Sequence, residues 1–119
     1  MFFITKEFTF DAAHFLSEYH GKCENLHGHT YKLHVTVEGE RDNEGMVLDF
    51  LSLKLIVKEH ILSILDHSNL NDIFIQPSAE NIIYWIWEIL KDKLRGQNYN
   101  LSEMKLWETP TSFVTYRGD

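Results

Sequence analysis

The chain has 119 residues, 44% hydrophobic and 24% charged, a balance that fits one folded domain over 1–119 and excludes long disorder. A formal net charge of −7 excludes a general nucleic-acid binder, which needs a basic face, but a local cluster of cations can still meet an anionic small substrate. The single cysteine makes no internal disulfide, and the opening MFFITKEFTF, interrupted by Lys6 and Glu7, reads as neither signal peptide nor membrane span, so the default expectation is cytoplasmic.

Residues 2–10 read as a strand, with Phe2, Ile4, Phe8 and Phe10 on one parity and Thr5, Glu7 and Thr9 on the other. Residues 15–26 lack a period and read as a loop. A second strand is expected over His27–Glu38, where Tyr31, Leu33, Val35 and Val37 alternate with Lys32, His34, Thr36 and Glu38. After the polar turn at 40–45, Asp49 is placed to cap a helix to about Leu65, with Phe50, Leu53, Val57, Ile61 and Ile64 as its buried face. Ser78, after Pro77, is placed to cap a second helix to about Arg95, ending at Gly96, with Ile82, Ile83, Ile86, Ile89, Leu90 and Leu94 as its stripe. Two strands at 101–109 and 111–117 meet around Pro110. The order β-β-α-α-β-β predicts an α+β fold, a four-stranded antiparallel sheet with two helices on one face. The edges of such a sheet invite pairing, so association between chains is expected.

Chemistry concentrates in Cys23-Glu24-Asn25-Leu26-His27-Gly28-His29, with His14 upstream in Phe10-Asp11-Ala12-Ala13-His14. On an extended backbone His27 and His29 point the same way, and Gly28 between them permits close packing. If the first two strands pair, His14 joins them, and three imidazoles suit a zinc ion with an open fourth position. Two plainer readings stand beside this one. The histidines are ordinary polar-loop residues, or Cys23 completes a closed Cys/His3 structural zinc site.

Further motifs extend the pattern: Leu-Asp-His at 65–67, Pro-Ser-Ala-Glu-Asn at 77–81 and Trp-Glu-Thr at 107–109. With Phe-Asp-Ala-Ala-His at 10–14 and Cys-x3-His-Gly-His at 23–29, the chain resembles the 6-pyruvoyltetrahydropterin synthase superfamily over most of its length. The three-residue gap between Cys23 and His27 resembles the 6-carboxy-5,6,7,8-tetrahydropterin synthases of the queuosine pathway; the tetrahydrobiopterin-pathway enzymes have a longer gap. The resemblance implies 7,8-dihydroneopterin triphosphate as substrate, and 6-carboxytetrahydropterin, acetaldehyde and triphosphate as products. It implies the tunnelling fold, with sheets joined in a trimeric barrel, often doubled to a hexamer, and active sites between subunits. Alternatives within the family are 6-pyruvoyltetrahydropterin formation and aldolase-like cleavage of dihydroneopterin. Outside it stands a non-catalytic zinc or pterin-binding module.

The resemblance also assigns roles. His14, His27 and His29 become the ligands of Zn2+, and Cys23 the general base. Asp66 and His67 complete the catalytic set, although a histidine closing an apolar helix also suits the helix dipole. Glu108, on the parity of Met104 and Leu106, becomes the pterin anchor, because a carboxylate accepts two parallel hydrogen bonds from a ring N–H and an exocyclic amine; Thr109 adds a contact. Lys22 and Arg117 are candidates for the triphosphate without a phosphate-loop signature. Ser78 is equally explained as a helix cap, and Glu80 has no firm role. His20, His34 and His60 read as surface or packing residues, and Trp85, Trp87 and Trp107 as core or interface.

Overall fold

The computed structural model describes residues 1–17 and 24–118. Strand β1 (Phe2–His14) pairs antiparallel with β2 (His27–Gly39) in an unbroken register from Phe2 opposite Gly39 to His14 opposite His27. The alternation of side chains turns Phe8, Phe10, Ala12 and His14 inward, together with Tyr31, Leu33, Val35 and Val37. Glu7, Asp11, Thr30, Lys32 and His34 lie on the opposite face. Both strands run longer than their hydrophobic alternation suggests. The first continues through Asp11 to His14 because β2 supplies a partner for each of those residues.

A helical stretch follows in three pieces: α1 (Phe50–Val57), a π-helical turn (Lys58–Leu62) and α2 (Ser63–Leu65). Asp49 caps it as the sequence suggests, accepting a hydrogen bond from the Leu51 N–H at 2.8 Å. The π turn changes the expected buried face. Leu53, Val57, Ile61 and Leu65 are fully buried, whereas Phe50 and Ile64 are exposed. The wider turn contains more residues per revolution, so the inward position after Ile61 falls on Leu65 instead of Ile64.

The chain then forms the two-residue strand β3 (Ser68–Asn69), a 3-10 turn (Leu70–Asp72) and the long helix α3 (Ala79–Lys93). The Ser78 hydroxyl caps α3 through the Asn81 N–H. Ile82, Ile83, Ile86, Trp87 and Leu90 are buried, and Ile89 packs at the margin. The helix ends at Lys93 with Leu94 as its cap, short of the expected Arg95. Gly96 has a different role from terminating the helix. A side chain there would meet the Tyr99 ring at 2.3 Å, so glycine lets that ring lie against the backbone.

Strands β4 (Tyr99–Thr109) and β5 (Ser112–Tyr116) complete a sheet of order β3-β1-β2-β4-β5. The fold is the expected α+β class, with helices layered on one sheet face, but the sheet is five-stranded and mixed. The added strand, β3, lies parallel to β1 through Ala12 and Ala13. It is too short to leave an alternating pattern in the sequence. Among the described residues no helix is long and apolar enough to cross a membrane.

Candidate metal centre and acid–base pair

Strand register assembles the first site. His14 and His27 are direct cross-strand partners, and His29 lies opposite Ala12, whose small side chain leaves room beside the imidazole. The His14 Nε2 lies 3.1 Å from the Nε2 of both His27 and His29. The three rings meet edge-on, with centroids 4.7–4.9 Å apart. His14 is buried and the other two are half-buried.

Backbone carbonyls orient two of these rings. The His14 Nδ1–H donates to the Pro77 carbonyl at 2.9 Å, and the His27 Nδ1–H donates to the Asn25 carbonyl at 2.8 Å. In a neutral imidazole, a proton on Nδ1 leaves Nε2 as a bare lone pair. Lone pairs turned toward one another at this distance repel unless a proton or cation lies among them. Neutral imidazoles with carbonyl-bound Nδ1–H groups are the donor set that zinc takes, so the residues fit the ion. Burial pushes the His29 pKa down, with the Glu108 carboxylate opposing, and so favours its neutral, metal-binding form.

Glu108 belongs to the same cluster. Its Oε1 is 3.2 Å from His29 Nε2 and 3.7 Å from His14 Nε2. The ligand atoms of His14, His27, His29 and Glu108 all lie within 4.8 Å of one another. Glu108 reaches the helix-covered face at the register irregularity between Trp107 and Thr109, and its contact with the histidines was not expected. Thr109 sits at the end of β4, paired with Ser112. Tyr31, fully buried beneath the cluster, stacks on Phe10 and places its hydroxyl 3.3 Å from His14 Nδ1. Burial, then the nearby Glu108 charge, holds its phenol well above the usual range and therefore neutral.

Asp66 and His67 form a second, separate group with Asp11. The Asp11 N–H donates to Asp66 Oδ1 at 3.0 Å, and the His67 N–H donates to the Asp11 carbonyl at 2.7 Å. The Asp66 carboxylate and His67 Nδ1 are 3.2 Å apart. His67 has φ of 60°, a left-handed conformation uncommon for a residue with a side chain, and its ring is 80% exposed. Asp11 and Thr30, joined by a 2.6 Å hydrogen bond, belong to the sheet face away from the helices. An open pocket there is bordered by residues that include Asp11, Gly28, Thr30, His67 and Ser68, and it reaches His29 of the histidine cluster. One chain therefore presents its histidine cluster and its Asp66–His67 pair on different sides of β1.

Cys23, Lys22 and His20 lie outside the described residues. Arg117 pairs with Glu103 at 2.7 Å, so its charge already has a carboxylate partner. His34 pairs with Glu7 at 2.8 Å and packs on Trp107, in line with a packing role. The sequence reading missed the carbonyls of Pro77 and Asn25 and the phenol of Tyr31. A main-chain acceptor has no residue-type signature, and Tyr31 reads as one more core position of its strand.

A two-helix layer over a largely antiparallel sheet, with a three-histidine cluster at the sheet's end, defines a tunnelling-fold protein with a candidate metal centre. The chain belongs to the 6-pyruvoyl tetrahydropterin synthase family, whose model matches residues 3–119. It is 39% identical to a 6-carboxy-5,6,7,8-tetrahydropterin synthase of Haemophilus influenzae, over 98% of this chain and 99% of that protein. It is 45% identical to a dihydroneopterin monophosphate aldolase of Pyrococcus furiosus, over 84% of this chain and 83% of that one. The 6-pyruvoyl tetrahydropterin synthase structure of Caenorhabditis elegans superposes with a TM-score of 0.85 at 29% identity, covering 99% and 96% of the two chains.

Proposed function

We propose that this protein is a zinc-dependent 6-carboxy-5,6,7,8-tetrahydropterin synthase. It converts 7,8-dihydroneopterin triphosphate and one water to 6-carboxytetrahydropterin, acetaldehyde and triphosphate in queuosine biosynthesis. The observation that carries the choice of reaction is the near-complete alignment with the Haemophilus enzyme. The Cys23-x3-His27 spacing supports the same choice.

In this reading His14, His27 and His29 hold the zinc. When bound, the ion supplies Lewis acidity toward the substrate's side-chain hydroxyls, easing proton loss from the neighbouring carbon. Cys23 takes that proton, a role that needs a thiol pKa below its ordinary value. His67, oriented by Asp66, moves a proton to or from a side-chain oxygen. Glu108 accepts hydrogen bonds from the pterin ring, and Thr109 adds a contact. Asp66 and His67 lie across β1 from the histidines, so the reading places them in the site of a neighbouring copy within a trimer or hexamer. Open strand edges favour that assembly.

Product analysis with 7,8-dihydroneopterin triphosphate tests the proposal. Acetaldehyde and 6-carboxytetrahydropterin are expected, and turnover without acetaldehyde rejects it. The match to the Pyrococcus aldolase favours one second reading, aldol cleavage of a dihydroneopterin phosphate. That reaction leaves a hydroxymethyl pterin, which the same analysis detects.

A further inference from the structure

The chain leaving His14 loses its strand partners: β2 pairs no further than His14, and β3 no further than Ala13. Three consecutive residues, Phe15, Leu16 and Ser17, nevertheless have both main-chain groups paired. The Phe15 N–H donates to Asn71 Oδ1 at 2.9 Å, and Asn71 Nδ2 donates back to the Phe15 carbonyl at 3.0 Å. The Ser17 N–H donates to Gln76 Oε1 at 2.8 Å, and Gln76 Nε2 donates back to the Ser17 carbonyl at 3.1 Å. Leu16, between them, turns the other way. Its N–H donates to Glu24 Oε1 and its carbonyl accepts from the Glu24 N–H, each at 3.0 Å.

This alternation has the period of a strand, with two side-chain amides serving as the missing strand. A carboxamide offers one donor face and one acceptor face, like a peptide group; among side chains only Asn and Gln do so. The main chain that carries each amide is itself held. The Asn71 N–H donates to Asn69 Oδ1 at 3.1 Å. The Gln76 carbonyl accepts from Asn81 Nδ2 at 2.8 Å and from the Ser78 N–H at 3.0 Å. The next residue, Pro77, carries the carbonyl that receives the His14 ring N–H. One segment therefore grips the chain leaving His14 twice and orients the His14 imidazole once.

We propose that Asn71 and Gln76 are positioning residues of the metal centre. They hold the His14–Ser17 stretch against the segment that bears the Pro77 carbonyl, and so keep the His14 Nε2 aimed at its two partners. The inference rests on the zinc reading of those histidines.

The test uses the full-length protein and zinc alone, by chelator competition, with thermal melting of the metal-free and zinc-loaded forms. Asn71→Ala and Gln76→Ala are expected to weaken zinc binding roughly tenfold each, the scale seen for groups that orient metal ligands. The zinc-induced rise in Tm is expected to shrink with them. Gln76→Glu keeps the acceptor and loses the donor; it is expected to fall between wild type and Gln76→Ala, and it serves if either alanine variant does not fold. A merely structural clamp lowers both melting temperatures equally and leaves zinc affinity at the wild-type value, which overturns the inference. A wild-type protein that binds no zinc overturns the metal reading and this inference with it. Wild-type and variant proteins binding equally tightly overturn this inference alone.

Discussion

His14, His27 and His29 bring three Nε2 atoms together, and that convergence has a pH signature. Each imidazole must be neutral to bind zinc, so protons compete with the metal. Burial lowers the His29 pKa from its ordinary 6.5, which keeps it neutral further into the acid range. Because the folded value is the depressed one, its contribution is present above the ordinary value and lost as pH falls through the folded one. Zinc affinity, followed with a chromophoric chelator from pH 8 downward, is expected to hold near neutrality and then fall as the solution becomes acidic; a flat profile rejects imidazole ligation. Cys23→Ala is expected to retain one zinc per chain and lose turnover by about 100-fold or more, the range of general-base removal. Loss of zinc in that variant instead supports the closed Cys/His3 site. The spacing His-Gly-His and the upstream His14 made these residues visible in the sequence, because strand alternation and pairing suffice to gather them. The Nδ1 partners were not visible, since a carbonyl belongs to every residue.

The helix from Asp49 to Leu65 shows where element-level patterns stop being readable. Its cap and its extent follow from Asp49 and the apolar spacing, but its last buried residue does not. An ideal helix turns Ile64 inward, whereas the π turn over Lys58–Leu62 buries Leu65 and leaves Ile64 exposed. Leu65→Ala is therefore expected to reduce unfolding free energy by about 2–5 kcal/mol. Ile64→Ala is expected to change it by no more than about 0.5 kcal/mol, as at an exposed site. Denaturant titration of the two variants checks this, and the reverse order contradicts the packing. β3 was equally hidden. Its two residues pair with β1 because Leu65, Leu70 and the β1 edge converge in space, which no local period records.

The arrangement of the whole chain separates the groups that the proposed reaction needs. The histidine cluster lies on the helix-covered side of β1–β2, and Asp66–His67 lies beside Asp11 on the other side. A shared site between copies reconciles them, and complementation reads it. Cys23→Ala and His67→Ala proteins are each expected to be inactive alone. Unfolded together at equal amounts and refolded, they are expected to recover roughly one quarter of wild-type activity, since a site drawing the two residues from different copies is intact at that frequency under random mixing. Recovery no greater than the sum of the separate proteins contradicts a shared site.

Local rules were enough for much of this protein. Alternation, caps and motif spacing pointed to the α+β order, the three histidines and the carboxylate Glu108, because each depends on neighbours in the chain or on one strand pairing. Other features depended on contacts between distant segments. Pro77 reaches His14, Asn71 and Gln76 stand in for a strand beside Phe15 and Ser17, and Glu108 comes within hydrogen-bonding distance of His29. Sequence separations of about sixty to eighty residues leave no periodic trace, so the orientation of the histidine rings and the placement of Asp66 and His67 emerge only once the strands and helices are packed.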